Sequence, residues 1–335
     1  MFLFSPLHRN EMWLNRNVRW CLLFLCAVLL VLWVLRPQDS FAPALSSQSS
    51  SPKAQRRSSM FSDFDNLSGS QTAIVPNIVH FILFSKDTLD FTSFLSMVSA
   101  LKVQRPEKLL IHTDSANITG RYWDALNAVR VANTSVQVVR RDRPSHVFGQ
   151  PLSSVYHASD VARIQLLMEW GGVYLDTDVL VLRPLDRFLR YEMTVGWPPD
   201  QFIGTQILIA HRGARLLPLW LDGYRKYHPR DWYYNAGQFP TEQILLPRPG
   251  LAHRVPHLFG VDNLSKFLYG PARWPRWRAF FTLHLLARHP PAPRAADEGF
   301  VRSYRTPFGE IARWLLYKLH PRVAFQRRDV TASRS

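Results

Sequence analysis

The chain has 335 residues, 47% of them hydrophobic, and 41 Lys and Arg against 25 Asp and Glu give a formal net charge of +16. That length and apolar content suffice for one core of enzyme size and exclude a disordered protein. The charge admits nucleic acid, an anionic membrane surface or an acidic small substrate as partner, and the compartment decides among them.

In chain order, Trp20 to Leu35 is an uninterrupted apolar run, preceded by Arg9, Arg16 and Arg19 and followed by Arg36-Pro37. As a helix it spans roughly 24 Å at about 1.5 Å per residue, which suits the thinner bilayers of the early secretory route. The arginine excess ahead of it predicts a cytosolic tail at 1–19, a transmembrane signal anchor at 20–35 and a lumenal remainder. That is a single-pass type II protein of the Golgi membrane, and a lumenal domain has no nucleic acid to meet. A cleaved signal peptide is the alternative, since Ala42-Pro43-Ala44 imitates a small-x-small site, although a proline sits inside it. Cys21 and Cys26 both fall in the apolar run, so the globular part has no disulfide framework. Residues 36–73, rich in Ser, Gln, Pro and basic residues, read as a flexible stem. Sequons at Asn66, Asn117, Asn133 and Asn263 are glycosylation candidates and agree with the lumenal placement.

From Ile74 the pattern alternates: strand over 78–84, helix over Leu89 to Leu101, strand over Lys108 to His112, helix over Arg121 to Val129, strand over Val136 to Arg140. This predicts an α/β domain over 74–270 with a mixed, mainly parallel sheet, continued through Val179 to Leu182 and Gly204 to Ala210 before a helical stretch at Leu216 to Tyr227. Between these lies Ser159 to Leu182. Ser159 reads as an N-cap, Val161, Ile164, Leu167 and Met168 repeat at helical spacing, and Gly171-Gly172 permit a left-handed exit. Asp160 and Arg163, three apart, share a helix face away from most of that stripe.

The following strand ends in Asp176-Thr177-Asp178. Alternation along a strand puts Asp176 and Asp178 on the same side, where apolar flanks make their mutual repulsion costly unless a cation compensates it. Oxygen ligands suit Mg2+ or Mn2+, ions that keep open positions for a substrate diphosphate. A solvated turn at a strand end is the competing reading of an isolated Asp-x-Asp.

Ser159-Asp160, Arg163, Gly171-Gly172, Tyr174-Leu175-Asp176 and Asp178 together resemble the core of the DXD-containing sugar-transferase family, which includes lactosylceramide 4-alpha-galactosyltransferase and the yeast initiating alpha-1,6-mannosyltransferase. The resemblance implies a GT-A-type nucleotide-sugar-binding domain with Phe84 near the end of its first strand. It implies that Asp160, Arg163 and Asp176 bind the donor sugar and that Asp178, with Asp176, holds the metal on the diphosphate. The activity it implies is retaining transfer of a hexose, from UDP-galactose or a related UDP-sugar, to a glycan or glycolipid, with Mn2+ favoured over Mg2+.

Trp232 to Leu246 resembles the family's acceptor-side loop, and Asn235 and Gly237 are candidates for an acceptor or phosphate loop. Its aromatic cluster could stack on sugar rings or plug the core. Glu242, His253 and His257 are each candidates to complete the metal shell. Residues 271–335 read as a basic aromatic C-terminal extension suited to a bilayer surface or an anionic acceptor, or as a plain solvated face. Two other functions compete. The run YLDTDVLVL also satisfies the pattern of a haloacid-dehalogenase-type phosphatase with a nucleophilic first Asp, and a non-catalytic lumenal sugar-binding protein would keep the fold without turnover.

Overall fold

A computed structural model describes residues 61–318. The predicted membrane run with its cysteines, most of the stem and residues 319–335 lie outside that range. Among the described residues no helix is long and apolar enough to cross a membrane.

The elements in order are β1 (Ile78–Leu83), α1 (Phe91–Ser99), β2 (Lys108–Thr113), α2 (Arg121–Ala128), β3 (Ser135–Arg140), a short hairpin of β4 (His146–Val147) and β5 (Gln150–Pro151), and α3 (Val155–Trp170). Then come β6 (Gly172–Leu175), β7 (Val179–Val181), β8 (Met193–Gly196), β9 (Gly204–Ala210), α4 (Leu216–Asp222), β10 (His253–Val255), α5 (Ser265–Tyr269), β11 (Thr282–His284), α6 (Glu298–Ser303) and α7 (Pro307–Arg313). Seven strands form one sheet in the order β10-β8-β9-β6-β1-β2-β3. Its pairs are parallel except for those that β9 makes with β6 and β8, so the sheet is mixed and mainly parallel, as the alternating pattern predicts.

Period-two alternation sends each strand's side chains to two separate cores. Val79, Phe81 and Leu83 of β1, Val173 and Leu175 of β6 and Ile207 and Ile209 of β9 pack with α1 on one face. Tyr174, Leu208 and Ala210 pack with α3 and α4 on the other. On that second face His80 and His112 are fully buried, with His80 Nδ1 3.0 Å from His112 Nε2 and His80 Nε2 2.8 Å from the Gly171 carbonyl. Burial pushes their pKa values down to about 4 and about 3, so both rings are neutral.

Several expectations change. β7 is not part of the main sheet; it pairs antiparallel with β11 in a separate ribbon. The C-terminal segment is no extension: Val301, Phe308, Ile311 and Leu315 belong to the same core as β1, so the domain runs past 270 to at least 316. The stem is shorter than 36–73, because Phe61 is buried and Asn66 is 0% exposed. Asn66 Nδ2 donates to Glu192 Oε2 at 3.1 Å and to the Gly250 carbonyl at 2.9 Å, which removes this sequon as a glycan site in the folded chain. Asn117, Asn133 and Asn263 are exposed.

Candidate active site

The helix that leads to the Asp-x-Asp motif starts earlier than Ser159. Ser154 is the N-cap, its hydroxyl accepting from the His157 amide, and Ser159 lies inside α3 with its Oγ donating to the Val155 carbonyl at 2.9 Å. The helix ends as expected, on Gly171 and Gly172 with φ of +66° and +109°. A Cβ on Gly172 would lie 2.5 Å from the Ile78 carbonyl oxygen, so only glycine lets β6 approach β1 here.

β1 and β6 run parallel, and their carboxyl ends deliver Phe84, Ser85 and Lys86 from one and Asp176 from the other. The amino end of antiparallel β9 brings Thr205 and Gln206 alongside. Ligand sites of open α/β sheets lie at such strand ends. The cleft formed there encloses about 500 Å³ and is walled by Lys86, Arg163, Asp176, Asp178, Arg288 and Arg294 among others.

Asp176-Thr177-Asp178 is a turn and not a strand continuation: β6 stops at Leu175, β7 begins at Val179, and the Val179 amide donates to the Asp176 carbonyl at 3.0 Å. The turn, and not strand alternation, makes the two carboxylates converge. Asp176, Asp178 and His284 present ligand atoms all within 4.8 Å of one another. His284 arrives on β11, opposite Val179, with its Nε2 3.3 Å from Asp178 Oδ1. The other Asp178 oxygen accepts from the Ala287 amide at 3.1 Å. Burial works against the Asp178 carboxylate, but the hydrogen bond and charge of His284 outweigh it and hold the carboxyl below its usual range. Burial also opposes charge on His284, and the bond to Asp178 raises its pKa in spite of that.

Two carboxylates and an imidazole beside an open cleft fit a divalent cation, and the imidazole nitrogen favours a transition ion over Mg2+. One ring nitrogen of His284, Nδ1, is buried without a hydrogen-bond partner. The three sequence candidates for this place are elsewhere. Glu242 accepts from Gln238 Nε2 at 3.2 Å, His253 stacks on Tyr191 with centroids 3.6 Å apart, and His257 is exposed.

Arg163 is not on a solvent face; its side chain is 7% exposed. Nε donates to the Ser159 carbonyl at 3.3 Å, and Nη1 to the Thr205 carbonyl and hydroxyl at 2.8 and 3.0 Å. Nη2 lies 3.1 Å from Asp160 Oδ1 and 3.4 Å from Asp176 Oδ1. Three of its five N–H donors, on Nε and Nη1, are thereby hydrogen-bonded, while Nη2 faces the two carboxylates as ion pairs. Arg163, which also lines the cleft, therefore braces both carboxylates. Burial opposes its charge, yet Asp176, Tyr174 and Asp160 raise its pKa further. Asp176 Oδ1 also accepts from the Tyr174 hydroxyl at 2.6 Å. Asp160 faces a small void beside Tyr227 and Trp232 and not the main cleft, and burial raises its pKa against the pull of Arg163.

The loop residues change role too. Asn235 is buried, its Oδ1 accepting from the His228 amide at 2.8 Å and its Nδ2 donating to the Gly223 and Lys226 carbonyls at 3.2 and 3.0 Å. It fastens the loop and has nothing left for a phosphate. Gly237 packs under Tyr233, whose ring a Cβ there would meet at 2.0 Å. Trp232, in contrast, is 57% exposed and in edge contact with Tyr156 at the cleft mouth.

With this geometry in hand, comparison with known proteins is informative over a limited span. Residues 133–195 match the family described as the glycosyltransferase sugar-binding region containing a DXD motif. The chain carries that region. It holds α3, the glycine pair and the Asp176–Asp178 turn, but not His284. The chain is 26% identical over 202 residues to Glucan organizing enzyme 1 of Cryptococcus neoformans var. grubii, covering 52% of this chain and 53% of that protein. It is 30% identical over 125 residues to the mouse lactosylceramide 4-alpha-galactosyltransferase, covering 37% of this chain and 34% of that protein. It thus spans about half the length of the first relative and a third of the second. A solved structure of galactosyltransferase LgtC with donor and acceptor sugar analogues aligns over 71% of this chain and 94% of that one, at 14% identity and a TM-score of 0.38, too loosely to support further inference.

Proposed function

We propose that the protein is a metal-dependent, retaining glycosyltransferase of GT-A type that moves a hexose from a nucleotide-sugar donor to a glycan or glycolipid acceptor. The observation that carries this reading is the convergence of Asp176, Asp178 and His284, the two carboxylates lining a cleft that Arg288 and Arg294 also line. Among the described residues neither Arg288 nor Arg294 forms an ion pair, and the Arg288 guanidinium sits 4.2 Å above the Tyr156 ring. A diphosphate suits cations that have no internal partner.

Asp176, Asp178 and His284 hold the cation in this reading, Mn2+ favoured over Mg2+. When bound, it stabilises the charge that develops on the departing diphosphate. Tyr174 and Arg163 fix the Asp176 carboxylate, and Asp160 braces Arg163 from behind, so Asp176 is set before substrate arrives. No side chain is assigned as base, because in a same-face displacement the leaving phosphate oxygen takes the acceptor proton. UDP-galactose or a related UDP-sugar is the favoured donor, in keeping with the galactosyltransferase name of the mouse relative. We place the domain in the Golgi lumen behind a type II anchor at residues 20–35.

Thermal melts with UDP or GDP, each with and without Mn2+, test the reading, because a ligand specific to the native state raises apparent stability. The expected result is metal-dependent stabilisation by UDP and slow metal-dependent hydrolysis of its sugar. Absence of both for every nucleotide sugar tried removes the transferase assignment. Glycosidase digestion tests the compartment: mobility shifts should vanish on mutating Asn117 and Asn133 together, and Ser68→Ala, which removes the sequon at Asn66 without touching its buried side chain, should leave them unchanged.

A further inference from the structure

A second cavity, of about 480 Å³, adjoins the metal-side cleft. Leu286 lines it while the next residue, Ala287, lines the cleft. Gln206 lines it too, and the Gln206 carbonyl accepts the Asp176 amide at 2.9 Å. The walls of the two spaces are therefore neighbours, joined through the Gln206–Asp176 hydrogen bond and the Leu286–Ala287 step.

Its wall differs in kind from the cleft's. In a chain of net charge +16, no Lys or Arg lines this cavity, and its one ionisable acid is Asp200. The remaining polar wall is amide, from Gln201, Gln206 and Asn263, and the aromatic wall is Phe202 and Tyr233. Tyr233 is fixed by donating its hydroxyl to the Ile203 carbonyl at 2.7 Å, while Phe202 is 39% exposed. The side-chain oxygen of Gln206 is buried with no hydrogen-bond partner. A buried acceptor left unmet is unfavourable, and turning the Gln206 side chain into the cavity would expose that oxygen to a ligand hydroxyl. Aromatic faces beside amide groups match a sugar ring, which offers a C–H face and a rim of hydroxyls.

We infer that this cavity binds the acceptor, and that it selects an uncharged sugar. The inference rests on the transferase reading for the word acceptor, but the binding chemistry is independent of it. A sialylated, sulfated or phosphorylated ligand would lose its hydration here beside Asp200 and find no cation in return. The Gln206 oxygen accepts from a ligand hydroxyl, and Phe202 covers the sugar face.

The test is ligand-observed saturation-transfer NMR on the folded lumenal chain, with lactose, maltose and N,N′-diacetylchitobiose as neutral probes and 3′-sialyllactose as the charged one. At least one neutral probe should bind, the sialylated probe should not, and UDP with Mn2+ should not displace the neutral sugar. Gln206→Ala should weaken that binding about tenfold, the worth of one well-made hydrogen bond. Phe202→Ala, at an exposed position that does not threaten folding, should weaken it as well. No neutral binding, equal binding of the sialylated probe, displacement by UDP, or full affinity in both variants would each overturn the assignment. UDP melts on the same samples separate the two ideas: nucleotide binding without sugar binding removes this cavity, and the converse removes the transferase.

Discussion

The two neighbouring cavities are alike in size, about 500 and 480 Å³, and differ in the cations that line them. Lys86, Arg163, Arg288 and Arg294 wall one, and the other has no basic side chain. A net charge of +16 thus describes the surface as a whole and not any site on it. The lesson is that a basic chain can keep a cation-lined cavity and a cation-free one side by side, because where each basic side chain points, and not the net charge, decides the wall. Here Arg288 and Arg294 come from the stretch after β11, which reaches the second cavity only through Leu286 and lines the cleft from Ala287 onward.

The sharpest way to break this division is at the metal side. Asp178→Asn should lower transfer roughly a hundredfold to a thousandfold, by analogy with loss of one preorganised electrostatic contact. Melting temperature and neutral-sugar binding should stay near wild type, and a variant with ordinary turnover and manganese dependence would take Asp178 out of the metal site.

Arg163→Ala should act on both function and stability. It leaves the half-buried carboxylates of Asp160 and Asp176 without their shared cation, a change worth at most about 3 kcal/mol, the lower end of the cost for a fully buried pair. Urea denaturation reads that loss. An Arg163→Ala protein of unchanged stability that had lost only donor-sugar binding would restore Arg163 as a sugar ligand. His284→Ala should weaken manganese binding at least about tenfold in calorimetry, since even partners behind a metal ligand cost that much. Unchanged affinity would reduce the cluster to its two carboxylates.

Acid gives the most gradual test. The folded-state pKa values of His80 and His112 lie below the ordinary 6.5, so the unfolded chain binds more protons between those values and 6.5. Their contribution to stability is complete above about pH 6.5 and is lost as pH falls toward about 4. His80 contacts the Gly171 carbonyl at the root of the strand that leads to Asp176, and His112 stacks on His80. Urea midpoints measured from pH 7 to pH 4 should fall, and His80→Asn with His112→Asn should flatten the slope whatever it does to the level.

What the sequence determined by itself was local. Alternation of strand and helix from 78 to 140, the glycine pair and the placing of Asp176 and Asp178 at a strand end all follow from periodicity and backbone freedom, which neighbours in the chain decide. The fate of Arg163 was not legible, because helical spacing shows which residues share a face but not whether β9 lies against that face to accept the guanidinium. Nor was His284: its only signal is a histidine inside the apolar strand-like stretch from Phe280 to Leu285, and 106 residues separate it from Asp178. The burial of Asn66 depends likewise on Glu192 and Gly250, far along the chain. A sequence pattern fixes dihedral preferences and faces, whereas metal ligation, ion pairing and cavity walls depend on distances between segments, and those exist only once β11 has paired with β7 and the C-terminal helices have closed the core.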